Sequence, residues 1–141
     1  MTDADLIVAS LERAGALCDD LTPLVYERLF ADHPAMRDLF VRDTDGSVRG
    51  EMLARVIELI LDFIDARAYA AQLIQCEVVT HDGYGTPPEV FRLFFGYVAD
   101  AVAGVVGPDW TPATAAAWRD LLGDLDFYVT HPDQAATRAL A

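Results

Sequence analysis

The stretch His81-Asp82-Gly83-Tyr84-Gly85-Thr86-Pro87-Pro88-Glu89 closes one apolar helical pattern and opens the next. Upstream of it, a helix from about Ala68 to His81 runs into glycines free to take left-handed backbone angles. Downstream, Pro87 or Pro88 opens a single helix in which Phe91, Phe94, Phe95, Val98, Val102 and Val105 recur at helical spacing until Gly107 and Pro108 end it. A lone histidine at such a helix end most often does no more than bond a backbone carbonyl. What surrounds His81 decides whether it does more.

Working outward, almost every long segment repeats its apolar residues at intervals of three and four, with no sustained alternation, which predicts an all-α chain. Leu6, Ala9, Leu11 and Leu17 mark a first helix ending near Cys18, after which Asp19 or Asp20 can cap a second that carries Leu24, Val25, Leu29 and Phe30. His33-Pro34 stops it, and Met36, Leu39 and Phe40 form a short turn. Asp43-Thr44-Asp45-Gly46-Ser47 has loop chemistry and little to bury. From about Ser47 to Ala66 runs the strongest amphipathic pattern, with Leu53, Val56, Ile57, Ile60, Leu61 and Ile64 opposite Glu51, Arg55, Glu58 and Asp62. Thr111-Pro112 caps and starts a last helix through Trp118, Leu121, Leu122, Leu125 and Tyr128. The expected architecture is one domain over residues 1–141, six main helices plus short turns, its tail fraying after His131.

Composition narrows the function. With 141 residues, 53% of them hydrophobic, the chain can bury a core, which excludes intrinsic disorder. A net charge of −13 repels a phosphate backbone and an anionic membrane surface, so no nucleic-acid partner is expected. Glu58, Asp62 and Asp65 interrupt the best membrane-spanning candidate, and Asp3 and Asp5 stand where a secretory signal carries positive charge, so the expectation is a cytoplasmic protein without membrane insertion. Cys18 and Cys76 form no CxxC pair and read as free, buried thiols. His33, His81 and His131 lack HxxxH or HExxH spacing, and nucleophile elbow, P-loop and dinucleotide turn are all missing, which argues against hydrolase, zinc and nucleotide chemistry.

Three motifs, taken in order, resemble bacterial single-domain globins and the globin domain of flavohaemoglobins. The run from His81 through Tyr84-Gly85 to Pro88-Glu89 looks like the segment that follows their iron-binding histidine. Val25-Tyr26-Glu27-Arg28-Leu29-Phe30, His33-Pro34 and Leu39-Phe40 look like their distal tyrosine helix and the corner after it. Asp109-Trp110-Thr111-Pro112 and Ala117-Trp118 look like the start of their last helix. The resemblance covers nearly the whole chain and implies a globin fold around a haem pocket.

It also implies roles. His81 would be the iron ligand of a haem b, an apolar plate with two carboxylate tails that needs an aromatic slot and a neutral imidazole. Phe40 would stack on the plate, with Tyr84 and Phe91 as further cofactor contacts. Tyr26 would aim its hydroxyl at the sixth coordination position. If Gly50 marks a close helix crossing, Arg49 lies over the iron and Leu53 roofs the ligand pocket; a shift of one residue puts Val48 there instead. Phe91 stands where flavohaemoglobins have a tyrosine behind the proximal histidine. Glu77, one turn before His81, stands where globins usually have a leucine, and Val78 or Leu73 would take over that packing. The implied function is reversible binding of oxygen, nitric oxide or carbon monoxide, with nitric oxide dioxygenation dependent on an external reductase. Competing readings are a haem-based gas sensor acting through a partner and a haem-free helical module for protein contact.

Overall fold

In a computed structural model, which describes residues 1–131, the chain is built from α-helices joined by short turns. The fraying expected after His131 lies outside the described residues. The order is α1 (Asp3–Leu17), α2 (Thr22–Asp32), a 3₁₀ turn (Pro34–Phe40), α3 (Ser47–Ile64), α4 (Ala70–Gly83), α5 (Pro88–Phe91), α6 (Phe94–Val106), a second 3₁₀ turn (Gly107–Asp109) and α7 (Pro112–Thr130). No strand occurs among the described residues.

Local chemistry explains the helix ends. Thr2 and Asp5 form a reciprocal capping box, each side chain accepting from the other's backbone N–H at 3.1 Å. Asp20 accepts from Thr22 N at 3.0 Å and so starts α2 from just outside it. Thr111 caps α7 through Thr114 N at 3.1 Å, with Pro112 in the first turn. Of the two glycines after His81, only Gly85 takes a left-handed angle, at φ 99°, while Gly83 remains the last residue of α4.

The expected single helix from Pro87 to Gly107 is instead two. Arg92 and Leu93 turn the chain between α5 and α6, and Arg92 holds the break against α7 with a forked pair to Asp126 at 2.8 Å on both oxygens. The 22-residue stretch Pro88–Asp109, rather than the one broken by Glu58, Asp62 and Asp65, is long and apolar enough to cross a membrane by length and composition. Here its apolar face serves the core: Phe95, Tyr97, Val98, Ala99, Ala101, Val102 and Val106 are all buried. The thiols also differ from expectation, since both are free but Cys76 is exposed and Cys18 half-buried.

Helix α1 packs on α6 and α7, α2 on α6, and α4 on α7, around a core in which Trp118, Tyr128, Phe63, Ile7, Ile60, Ile74 and Leu125 are fully buried. Helix α3 lies against α2 and α4. One buried polar chain crosses the α1–α7 contact: the Trp118 indole N–H donates to Ser10 Oγ at 2.9 Å, and Ser10 Oγ donates to Ile7 O at 2.7 Å. Ser10→Ala leaves the indole N–H without a partner in a dry site, so the variant is expected to lose about 1–3 kcal/mol of unfolding free energy. Urea denaturation of both proteins measures it, and an unchanged midpoint would contradict a structural role for the bond.

Candidate functional site

Between α2, α3, α4 and α6 the core opens into a mostly apolar cavity, about 1010 Å³ including its solvent-open mouth. Tyr26 and Leu29 contribute from α2, Met36, Leu39 and Phe40 from the first 3₁₀ turn, and Met52, Arg55, Val56 and Leu59 from α3. Leu73, Glu77 and His81 enter from α4, with Thr86, Val90 and Phe91 after it and Phe94 and Phe95 from α6. The break between α5 and α6 accounts for the last group, because it lets aromatic residues on both sides of Arg92 face one space. Arg55 is the only guanidinium among the described lining residues.

Tyr26 is 2% exposed, and three aromatic rings fix its orientation: Phe40 at 5.3 Å, Phe94 at 5.4 Å and Phe30 at 5.8 Å between centroids. Its hydroxyl is buried without a hydrogen-bond partner among the described residues. Burial holds the phenol well above its ordinary range, with a smaller opposing effect from Arg49, so the group is a neutral O–H donor. A buried, unpartnered donor on a cavity wall is a costly feature that a polar guest can satisfy.

His81 sits in the last turn of α4, its side chain partly exposed. Nδ1 lies 2.8 Å from Glu77 O, and since a carbonyl can only accept, Nδ1 carries the proton and donates it. In the neutral form of this ring, which lines the cavity, Nε2 is then the nitrogen with a lone pair. Phe91 meets the imidazole edge-on at 5.0 Å. A neutral imidazole with one nitrogen tied to backbone and the other open is suited to donating a lone pair to a metal ion.

Of the residues singled out in the sequence, Tyr26, Phe40, His81 and Phe91 meet on this cavity, whereas Arg49, Leu53, Val48 and Tyr84 are not among its lining residues. Gly50 does face α2, where a Cβ would meet Thr22 Oγ1 at 3.8 Å, but that contact does not carry Arg49 over the cavity. Arg49 turns the other way onto Asp43, with Nε 3.0 Å from Oδ2 and Nη2 2.9 Å from the backbone carbonyl. Leu53 is buried in the core, Val48 is exposed, and Tyr84 is 76% exposed beyond the end of α4. The stripe on the cavity is Met52, Val56 and Leu59, at i, i+4 and i+7. Leu53, one position on from Met52, is rotated about 100° away. On α4, Leu73 does line the cavity, as does Glu77 itself, while Val78 is buried outside it.

Sequence reasoning also missed Asp43, which it placed in a loop with little to bury. Asp43 is buried and accepts from Val48 N, Arg49 N and Arg49 Nε, all at 3.0 Å, so it fixes the start of α3. Burial alone would raise its carboxyl; the Val48 and Arg49 N–H groups and the guanidinium outweigh that and hold it below the ordinary range.

Compared with known proteins, residues 24–126, well over half of the chain, match the family model described as Globin. No curated protein and no solved structure matches the chain.

A carboxyl held below its ordinary value stabilises the fold above the usual range of about 4 and loses that effect as pH falls through the lowered value. Asp43→Asn is therefore expected to lower Tm at neutral pH, more than Asp45→Asn does, because Asp45 accepts from Ser47 alone among the other described residues, whereas Asp43 accepts two helix N–H groups and a guanidinium. The gap between wild type and Asp43→Asn should close on acidification. Melting curves across pH 2–7 check it, and a gap independent of pH would be inconsistent with the charged clasp.

Proposed function

The chain belongs to the globin family and has its all-α fold, and we propose that the cavity holds one haem b and reversibly binds diatomic gases, oxygen foremost. The observation that carries this reading is the pairing, on one apolar cavity, of an imidazole whose Nδ1 is tied to Glu77 O with a buried Tyr26 hydroxyl that lacks a partner. The residues present fit the group. An apolar plate suits the walls supplied by Leu29, Phe40, Val56, Leu73 and Phe94, and its carboxylate tails suit the exposed Arg55 at the edge. When bound, haem supplies an iron centre for gas ligands, held by an imidazole from the protein.

The chain's own residues account for the rest. Helix α4 orients His81 and fixes its tautomer through Glu77 O. Met52, Val56 and Leu59 wall the gas-binding space from α3 and keep it dry, in place of the Arg49 and Leu53 expected there. Tyr26 donates to a ligand atom that carries partial negative charge, and Phe30, Phe40 and Phe94 keep its ring from turning away. The acidic chain and the burial of α6 favour a protein without nucleic-acid or membrane partners, and an external reductase would supply electrons for any turnover.

Two outcomes are expected. His81→Ala should lose its haem, or retain it in a form that external imidazole restores, as read from the Soret band and the haem-to-protein ratio; an unchanged spectrum would rule out His81 as the ligand. Tyr26→Phe should release oxygen roughly ten- to a hundredfold faster, since a hydrogen bond to a partly anionic acceptor in a dry site contributes about 1–3 kcal/mol. Carbon monoxide, far less charged, should leave at nearly the wild-type rate. Stopped-flow ligand displacement measures both, and equal oxygen release in the two proteins would remove Tyr26 from the site.

A further inference from the structure

The carboxylate of Glu77 stands beside the same nitrogen that its backbone carbonyl binds. Glu77 Oε2 lies 3.3 Å from His81 Nδ1, while Glu77 O lies 2.8 Å from it. The two residues are one turn apart on α4, so the helix itself brings them together. Among the described residues Glu77 pairs with no guanidinium, and Arg55, the guanidinium among the described cavity-lining residues, has Nε 3.9 Å from Glu51 Oε2. Phe91, the aromatic neighbour of the imidazole, offers it no acceptor. Glu77 lines the cavity, with its side chain 41% exposed. At 3.3 Å its carboxylate is close enough to act on the ring.

We infer that Glu77 is a positioning residue whose carboxylate shares the Nδ1 proton of His81 and raises the electron-donating power of Nε2. This inference rests on the proposed haem site. An N–H donated partly to an anion leaves more negative charge on the imidazole than one donated to a carbonyl alone, and a ligating histidine with such a partner is the more basic ligand. The consequence for a metal bound at Nε2 is a stronger bond and a preference for the higher oxidation state. A solvent-facing helix glutamate without that bond would have neither effect.

The test uses haem-loaded wild type, Glu77→Gln and Glu77→Asp, with haem content measured first. Glu77→Gln keeps the side chain's size and removes its charge; Glu77→Asp keeps the charge and draws it back from Nδ1. The readouts are the iron–histidine stretch by resonance Raman and the ferrous-to-ferric ratio at a fixed applied potential. In Glu77→Gln the stretch should fall and the ratio should rise about tenfold, which is about 59 mV for one electron. Glu77→Asp should lie between the two. A wild type that takes up no haem overturns the haem reading and this inference with it. Haem-loaded Glu77→Gln with stretch and ratio unchanged overturns the role of Glu77 alone, and so does a changed ratio with an unchanged stretch, which would reduce Glu77 to a distant charge.

Discussion

A helix that walls a cavity gives up packing on one side, and α3 is held in place by a carboxylate at each end. Asp43 receives the N–H groups of Val48 and Arg49 at its start. Asp62, in its last turn, receives those of Ala68, Tyr69 and Ala70 at 2.8–3.0 Å and so caps α4 as well. These N–H groups have no partner within their own helices, and a carboxylate at a helix start meets the positive end of the dipole. For Asp62, burial works against ionisation, yet the three backbone donors and Arg67 hold its carboxyl below the ordinary range. The turn between them brings Arg67 to φ 52° and lays its guanidinium 3.8 Å from the centre of the Phe63 ring. The cavity can stay open because its wall is fixed through its ends.

The same arrangement separates the charges by task. Arg49, spent on Asp43, lies outside the cavity, although its charge still reaches Tyr26. Arg55 is left as the guanidinium on the cavity wall, in a chain with a net charge of −13. An anionic guest would meet repulsion over most of this surface and attraction at that edge, which gives it one favoured orientation. Away from the site, the Tyr97 hydroxyl donates to Asp32 at 2.9 Å, and burial together with that neighbour pushes the phenol up to about 12. That bond joins α6 to the end of α2, the helix that carries Tyr26.

Much of this was legible in the sequence, for physical reasons that also mark the limit. Periodicity records which face of a helix is apolar, so the long helices are readable, and Thr111-Pro112 and Asp20 announce helix starts through their own chemistry. Tyr26, Phe40, His81 and Phe91 could be grouped because the resemblance ran through the residues beside each of them. The register of α3 could not be found in the same way. Gly50 reports the face that touches α2, but which neighbouring stripe rises over the cavity depends on the crossing angle, a property of two packed surfaces. The break at Arg92 is not readable locally either, since the residue that clasps it, Asp126, lies on another helix. Asp43 and Asp62 were read as solvated residues because a carboxylate that binds backbone N–H groups resembles, in sequence, one that binds water.

Tyr26 connects the stability of the fold with its use. A phenol hydroxyl buried without a partner costs about 1–3 kcal/mol, and a phenylalanine there would fill nearly the same space without that cost. The surrounding rings do nothing to relieve it: Phe30, Phe40 and Phe94 hold the ring by its faces and edges and offer the hydroxyl no acceptor. Tight packing of the ring with a free tip is the arrangement expected where a donor waits for a guest, since a flexible phenol would turn to satisfy itself on the backbone. The cost is borne where the cavity lies and is offset elsewhere, in the core around Trp118 and Phe63 and in the carboxylates that hold α3. The unpartnered hydroxyl of Tyr26 and the imidazole of His81 belong to one cavity, and that coincidence is what a packing requirement alone leaves unexplained.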